Sequence, residues 1–398
     1  MISLRHWIWF SQAVGYCTPK AKQVSELYDS IETFYLGGEN EWRLSGLFSE
    51  NEINSMINTP LSVADDILSK CSKYCYEVVS LDNPYYPRCL YDIDDPPAVI
   101  YISGMLPDID DRLSIAVVGT RRASMYGIRS AYSISYNLAK VGITIVSGGA
   151  LGIDSSSHQG ALAAEGVTIC VLGCGINYNY LRENAGMRSS ITFRGAVISE
   201  YPPDTEPFPF HFPQRNRIIS ALSNGILVVE AGRKSGSLIT VNSALEQDPN
   251  KKIFALAGPV DPHFYGSNEL VKDKVATLIT DYKDIIDSFD NLYVTSELAV
   301  EAQPKDDIID VIPIKGKAPE DINGLKTSDL SEVPVHKEGL KLSKDEEKVY
   351  YAVGAEPVHV DKIAEITQLP VPKLSSILTV LEIKKLIVCV KGRSYRLL

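Results

Sequence analysis

The chain has 398 residues, 45% of them apolar and 22% charged, and a formal net charge of -11. That composition is the one expected of a soluble globular protein too long for a single ordinary core, so two or three domains are predicted. No run of about 18 apolar residues is present, which excludes a membrane-spanning helix.

The opening MISLRHWIWFSQAVGY is apolar but interrupted by Arg5 and His6, and it lacks a small-residue cleavage site, so no secretory leader is expected. Residues 1–80 read as a domain of short helices without strand alternation. The cysteine total is odd, no pair of CxxC elements occurs, and Cys71 and Cys75 have no ligand partners nearby. The expectation is therefore no metal site and a reducing cytoplasm. Residues 81–113 form a connector whose prolines exclude a long helix, and it ends in AVIYISG, an expected edge strand.

From 114 to 288 the pattern changes to the runs SIAVVG, ITIVSGG, TICVLGCG, AVISEYP, GILVVEAG and KIFALAGP, each followed by a glycine-rich turn and a helix. Near-continuous apolar strands alternating with helices predict a parallel sheet covered on both faces, a Rossmann-like α/β core. In such sheets the loops after the strand C-termini form the ligand crevice. Charge supports an anion site there, because Gly119 to Thr240 carries 11 Lys and Arg against 7 Asp and Glu in an acidic chain.

The loops supply the candidates. SIAVVGTRRASMYG puts Gly119 at a strand end with Arg121 and Arg122 in the turn; Arg121 is the expected site residue, and GxGxxG spacing is absent. IVSGGALGIDSSSHQGAL, with Gly148 and Gly149, leads into a helix opening near Ile153, where Asp154 is expected to cap and His158 to be structural. VLGCGINYNYLREN offers Gly173 and Gly175 for close backbone approach, and Tyr178 and Tyr180 as stacking faces or packing residues. VVEAGRKSGSLIT gathers Gly232, Lys234, Ser235, Gly236 and Ser237 into a phosphate cradle without Walker A spacing. HFPQRNRIIS reads as a tight, proline-broken segment. In it Phe212 is either a base platform or core, and Arg215 and Arg217 grip either phosphates or carboxylates. Glu200 and Glu230 at strand ends are the carboxylates able to act as acid or base, yet no catalytic triad order, zinc set or cofactor fingerprint appears, and no catalysis is expected.

Residues 289–340 lose periodicity and read as a linker. Residues 341–398 read as helix, short strand, helix, turn, helix and two-stranded ribbon, a winged helix-turn-helix. Ser343 with Glu346 makes a capping box there, and Pro372 suits a helix's first turn. Lys373, Ser375, Ser376 and Thr379 are placed to face a DNA groove or a protein partner.

Taken together, VVGTRR, SGGALGID, VLGCG, HFPQRNRIIS, VVEAGRKSGSLIT and LAGP resemble the DprA/Smf family of DNA-processing proteins, over about 83–287 and again over 341–398. The resemblance implies a cytoplasmic, non-enzymatic protein of natural transformation. Such a protein binds single-stranded DNA, forms a homodimer through its Rossmann-like domain and loads the RecA recombinase. It also implies a DNA pocket made of Gly119, Thr120, Arg121, Phe212, Arg215, Asn216, Arg217, Lys234, Ser235, Gly236 and Ser237. Asn216 is left either to read a base edge or to fix its loop. Two departures stand out: Leu151 replaces a basic residue of the family's SGxAxGID loop, and Lys274-Val275 replaces Gly-Ala in a region tied to partner contacts. The rival readings are a nucleotide-cleaving hydrolase using the glycine-loop pocket and a duplex-DNA regulator using only the winged helix.

Overall fold

The computed structural model describes residues 2–289 and, beyond them, parts of 348–397. The chain divides into two compact units.

The first unit opens with five helices, α1 (Ile2–Val14), α2 (Lys20–Leu27), α3 (Ile31–Leu44), α4 (Glu50–Asn58) and α5 (Ser62–Lys73). Ser30 caps α3 through Thr33 N–H, and a Ser49–Glu52 capping box starts α4, so two of the entries follow directly from local sequence. Helix α1 is buried along Trp7, Ile8, Trp9 and Phe10 and packs against α3, α4 and α5.

Nine strands then form one sheet: β1 (Glu77–Ser80), β2 (Val99–Gly104), β3 (Ser114–Val118), β4 (Thr144–Ser147), β5 (Thr168–Leu172), β6 (Ala196–Ser199), β7 (Gly225–Val228), β8 (Lys252–Leu256) and β9 (Thr277–Ile279). Their order is β1-β2-β6-β5-β4-β3-β7-β8-β9. The pairs β1/β2 and β2/β6 are antiparallel and all the others are parallel. All six strands predicted from 114 onward are present. AVIYISG is a strand but not an edge: Ile100 pairs with Val79 of β1 and Tyr101 with Ser199 of β6. The edge belongs to β1, whose four residues EVVS are too short to register as alternation, so residues 1–80 are not wholly helical.

Around the sheet lie α6 (Arg88–Tyr91), α7 (Met125–Lys140), α8 (Ile153–Ala163), α9 (Ala185–Ile191), α10 (His211–Ala221), α11 (Ser237–Gln247), α12 (Tyr265–Lys272) and α13 (Tyr282–Asp287). Strand alternation sends Ala116, Val118, Val146 and Val171 to one face, where they join a core continuous with the N-terminal helices, α10 and α11. Ile115, Val117, Ile145 and Leu227 face the other way, under α7, α8 and α13. The HFPQRNRIIS segment is a correction to the sequence reading. It is helix α10 rather than a broken turn, because Pro213 falls in the first turn, where its missing N–H costs no ladder bond.

His158 sits fully buried in α8 with Nδ1 2.7 Å from Thr168 Oγ1, which itself donates to the Ile145 carbonyl. The hydroxyl's proton is thus committed, so Nδ1 carries the hydrogen and Nε2 has no partner. Burial, reinforced by Arg215, pushes the imidazole down to about 3. Above roughly pH 6.5 both folded and unfolded forms are neutral. Below it the unfolded chain takes up a proton that the fold refuses, so stability falls as pH drops from about 6.5 toward 3. Urea unfolding should show the first unit weaker at pH 5 than at pH 7.5, with a shallower decline in His158→Gln; identical declines would disprove the assignment.

In the second unit, β10 (Val358–His359), β11 (Ile387–Val390) and β12 (Ser394–Leu397) form a three-stranded antiparallel sheet in the order β10-β12-β11. With the Val360–Thr367 helix, it encloses a small core of Val349, Val353, Ile363, Leu374, Leu378, Leu381 and Ile387. The short strand and ribbon read from sequence are both present. Ser343, Glu346, Pro372, Lys373, Ser375, Ser376 and Thr379 lie outside the described residues, as does almost all of the 289–340 linker. Among the described residues no helix is long and apolar enough to cross a membrane.

Candidate nucleic-acid interface

The strand order reverses between β3 and β7, the topological switch of the sheet, and the loops leaving these strands part around a crevice. There a cleft of about 610 Å³ is lined by residues including Gly119, Thr120, Arg121, Phe212, Arg215, Asn216, Ser235, Gly236 and Ser237. Nine of the predicted site residues therefore meet at one place.

The β3–α7 turn is held rigidly from behind. Thr120 N–H donates to the Glu230 carbonyl at 2.8 Å, and Ile153 N–H donates to the Thr120 carbonyl at 3.3 Å. Arg121 is left with its side chain exposed, its guanidinium lying 5.2 Å over the centroid of the Phe212 ring. Tyr180 closes on the same ring at 5.3 Å, so the tyrosine is a cleft residue. Opposite, the β7–α11 turn sets Ser235 Oγ 2.8 Å from Ser237 Oγ, and Asn216 Nδ2 donates to the Gly236 carbonyl at 3.3 Å. That bond ties α10 to the serine turn and favours the loop-fixing role of Asn216.

Two predicted glycines act from behind the wall. A Cβ on Gly148 would lie 2.5 Å from Arg215 Nη2, and one on Gly173 would lie 2.9 Å from Phe212 Cδ1. Both positions must stay bare for those side chains to reach the cleft. Gly149 also lies behind the wall, against Cys170. Lys234 is exposed on the serine turn but is not part of the lining.

The two arginines of α10 have different environments. Arg215 is buried, and its Nη1 donates to the Gly148 carbonyl at 2.8 Å and to the Val171 carbonyl. Burial lowers its pKa, partly countered by Asp154, and one side of it faces the cleft. Arg217 points away, into the interior. Its Nε bonds Asp95 at 2.9 Å and its Nη2 bonds Glu200 at 2.8 Å, with only 6% of the residue exposed. Burial opposes its charge, but the Glu200 and Asp95 carboxylates outweigh that and raise its pKa. The phosphate contact read for Arg217 is therefore corrected to a buried ion-pair network.

The strand-end carboxylates are likewise occupied. Glu200 belongs to that network, and Glu230 is fully buried, accepting from Ser124 N–H at 3.0 Å and Ser124 Oγ at 2.7 Å at the start of α7. Asp154 does line the cleft. It makes no capping bond; instead its Oδ2 braces the glycine loop through Ala150 N–H at 3.3 Å, and burial raises its pKa against the pull of Arg215.

With this geometry in view, the sequence model of the DNA recombination-mediator protein A family matches residues 77–290. The chain belongs to that family. The family's winged-helix domain matches residues 337–393, which places the C-terminal unit in the same architecture. Protein Smf of Escherichia coli (strain K12) is 40% identical over 215 residues, covering 54% of this chain and 56% of that protein. DNA processing protein DprA of Bacillus subtilis (strain 168) is 39% identical over 195 residues, 49% of this chain and 65% of the relative. The chain thus matches less than two thirds of the length of these two relatives. The X-ray structure of DprA from Streptococcus pneumoniae superposes with a TM-score of 0.57 at 31% identity, covering 63% of this chain and 86% of that one.

Several lining residues of this family member were not singled out from sequence. Pro207, Pro209, Ile219, Ile239 and Thr240 are part of the wall, and beside it Phe208 and Phe210 stack on each other at 5.7 Å while 45% and 59% exposed. The signal was the Pro-Phe alternation of PFPFHFP, which postpones the helix and leaves apolar rings on a surface turn. Of the departures from the family pattern, Leu151 is half-buried off the cleft, and Lys274 sits after α12 at a φ of 58°.

Proposed function

We propose that the cleft binds single-stranded DNA without cleaving it. In this reading the protein protects incoming strands and passes them to a RecA-type recombinase in natural transformation, working in the cytoplasm as a homodimer. The observation that carries the reading is Arg121 laid over Phe212 in an open cleft at the switch point, a cation beside a ring that a base can stack on. Membership of a DNA recombination-mediator family supports it.

Non-catalytic binding is supported by Glu200 and Glu230, which are engaged elsewhere and do not line the cleft. Dimerisation is supported by the far end of the sheet, where β9 is an edge strand and Val275 and Leu278 are exposed. The hand-over to a recombinase rests on family resemblance.

The deciding measurement is fluorescence anisotropy of oligothymidine and a matched duplex at several salt concentrations. Preferential single-strand binding with a negative log–log salt slope, weakened by Arg121→Ala, is expected. Equal or better duplex binding, indifferent to Arg121, would leave DNA to the winged helix and refute the proposal.

A further inference from the structure

We propose that the solvent face of α7 is a second nucleic-acid surface, a track that carries the single strand onward from the cleft. The inference rests on the cleft as the strand's primary site. It begins with a charge anomaly: the chain holds 50 Asp and Glu, yet none occurs from Leu113 to Ile153. Within that acid-free stretch lies α7. It buries Ala131, Ile134, Ser135, Leu138 and Ala139 against the sheet and α8, so its opposite face is open.

Spacings of three and four put Arg122, Met125, Arg129 and Lys140 on that open face, with Tyr132 and Tyr136 along its border with α8, where Gly160 packs against their backbone. Arg122, Met125, Arg129 and Lys140 are exposed, and the two tyrosines are half-exposed. The Tyr132 and Tyr136 rings lie nearly parallel, 11° apart with centroids at 6.5 Å, and Lys140 Nζ stands 5.9 Å over the Tyr136 ring. Among the described residues, Arg122, Arg129 and Lys140 form no ion pair. Acidic groups on the elements packed around α7 are engaged elsewhere: Glu230 is buried at its start and accepts from Ser124, Glu165 beyond α8 pairs with Arg194 at 2.8 Å, and Asp284 of α13 accepts from Thr280 and Asp281 N–H.

A tyrosine pair flanked by unpaired cations, on and just before a helix of about 24 Å, suits a sugar-phosphate backbone with its bases turned onto tyrosine faces. The track also starts in the right place. Arg121 of the cleft and Arg122 of the stripe are consecutive, so the stripe begins one residue from the cleft.

The test compares oligothymidines of about 4 and about 12 nucleotides, the shorter filling the cleft alone. Arg129→Ser with Lys140→Ser changes only exposed side chains, and thermal unfolding checks that the fold is kept. Expected is a loss of affinity for the longer oligonucleotide only, with its log–log salt slope reduced by about 1.4 for two lost phosphate contacts. Tyr136→Ala should weaken the longer oligonucleotide as well, by about fivefold or more. Unchanged affinity and slope for the longer oligonucleotide in the double variant, while Arg121→Ala still weakens the shorter one, would overturn the track, leave the cleft reading intact and assign the stripe to an acidic protein partner. Failure of the unaltered protein to bind either length would overturn both.

Discussion

Replacing Arg217 by alanine is expected to destabilise the first unit by about 3–5 kcal/mol, because it leaves Glu200 buried without its counter-charge. The pair stands at a junction. Asp95 comes from the connector, Glu200 from the end of β6 and Arg217 from α10, so one guanidinium fastens three chain segments. Gln247 adds a fourth by donating to the Arg217 carbonyl at 2.9 Å. Replacing the ions together, with Arg217→Met, Glu200→Gln and Asp95→Asn, should recover much of the loss, since it is the uncompensated charge that costs most. Denaturant midpoints decide the matter. A fall below about 1 kcal/mol in Arg217→Ala, accompanied by a large loss of single-strand affinity, would instead restore Arg217 to the binding site.

The second large effect concerns binding. Phe212→Ala should weaken oligothymidine by about 1–3 kcal/mol, roughly fivefold to more than a hundredfold, by removing the ring on which a base stacks. Arg121→Ala should weaken binding too and lower the salt slope by about 0.7, the signature of one lost phosphate contact. The two changes are expected to be less than additive, because Arg121 and Phe212 touch each other at 5.2 Å and each orients the other. Strict additivity would show that the two groups act on different parts of the strand. An undiminished affinity in the double variant would remove the cleft from the binding surface.

The sheet was legible because buried parallel strands read as unbroken apolar runs, and the glycine turns after them marked the crevice. What the sequence hid was orientation. Arg215 and Arg217 look equivalent in a segment taken as irregular. Once the segment is a helix, Phe212, Arg215, Asn216 and Ile219 follow the i, i+3, i+4, i+7 face, and all four line the cleft. Arg217, two positions from Arg215, must then point elsewhere. Helix α10 itself was masked by Pro213 and by a run of polar residues that tertiary contacts, rather than propensity, hold in place. The acid-free stretch was equally visible as text, but its meaning depended on which face of α7 the sheet buries.

The continuity of the core has a consequence for shortening the protein. Trp7, Phe10, Phe34 and Met56 belong to the same buried body as Val99, Ile100, Ile198 and Ile218. A version trimmed to begin at β3 would expose the flank of β6, an unpaired strand edge with apolar neighbours, and would lose Asp95 from beside Arg217. The front of the chain is thus less an attached module than a wall of the same room, and domain-swapping experiments that treat it as detachable will recover aggregates.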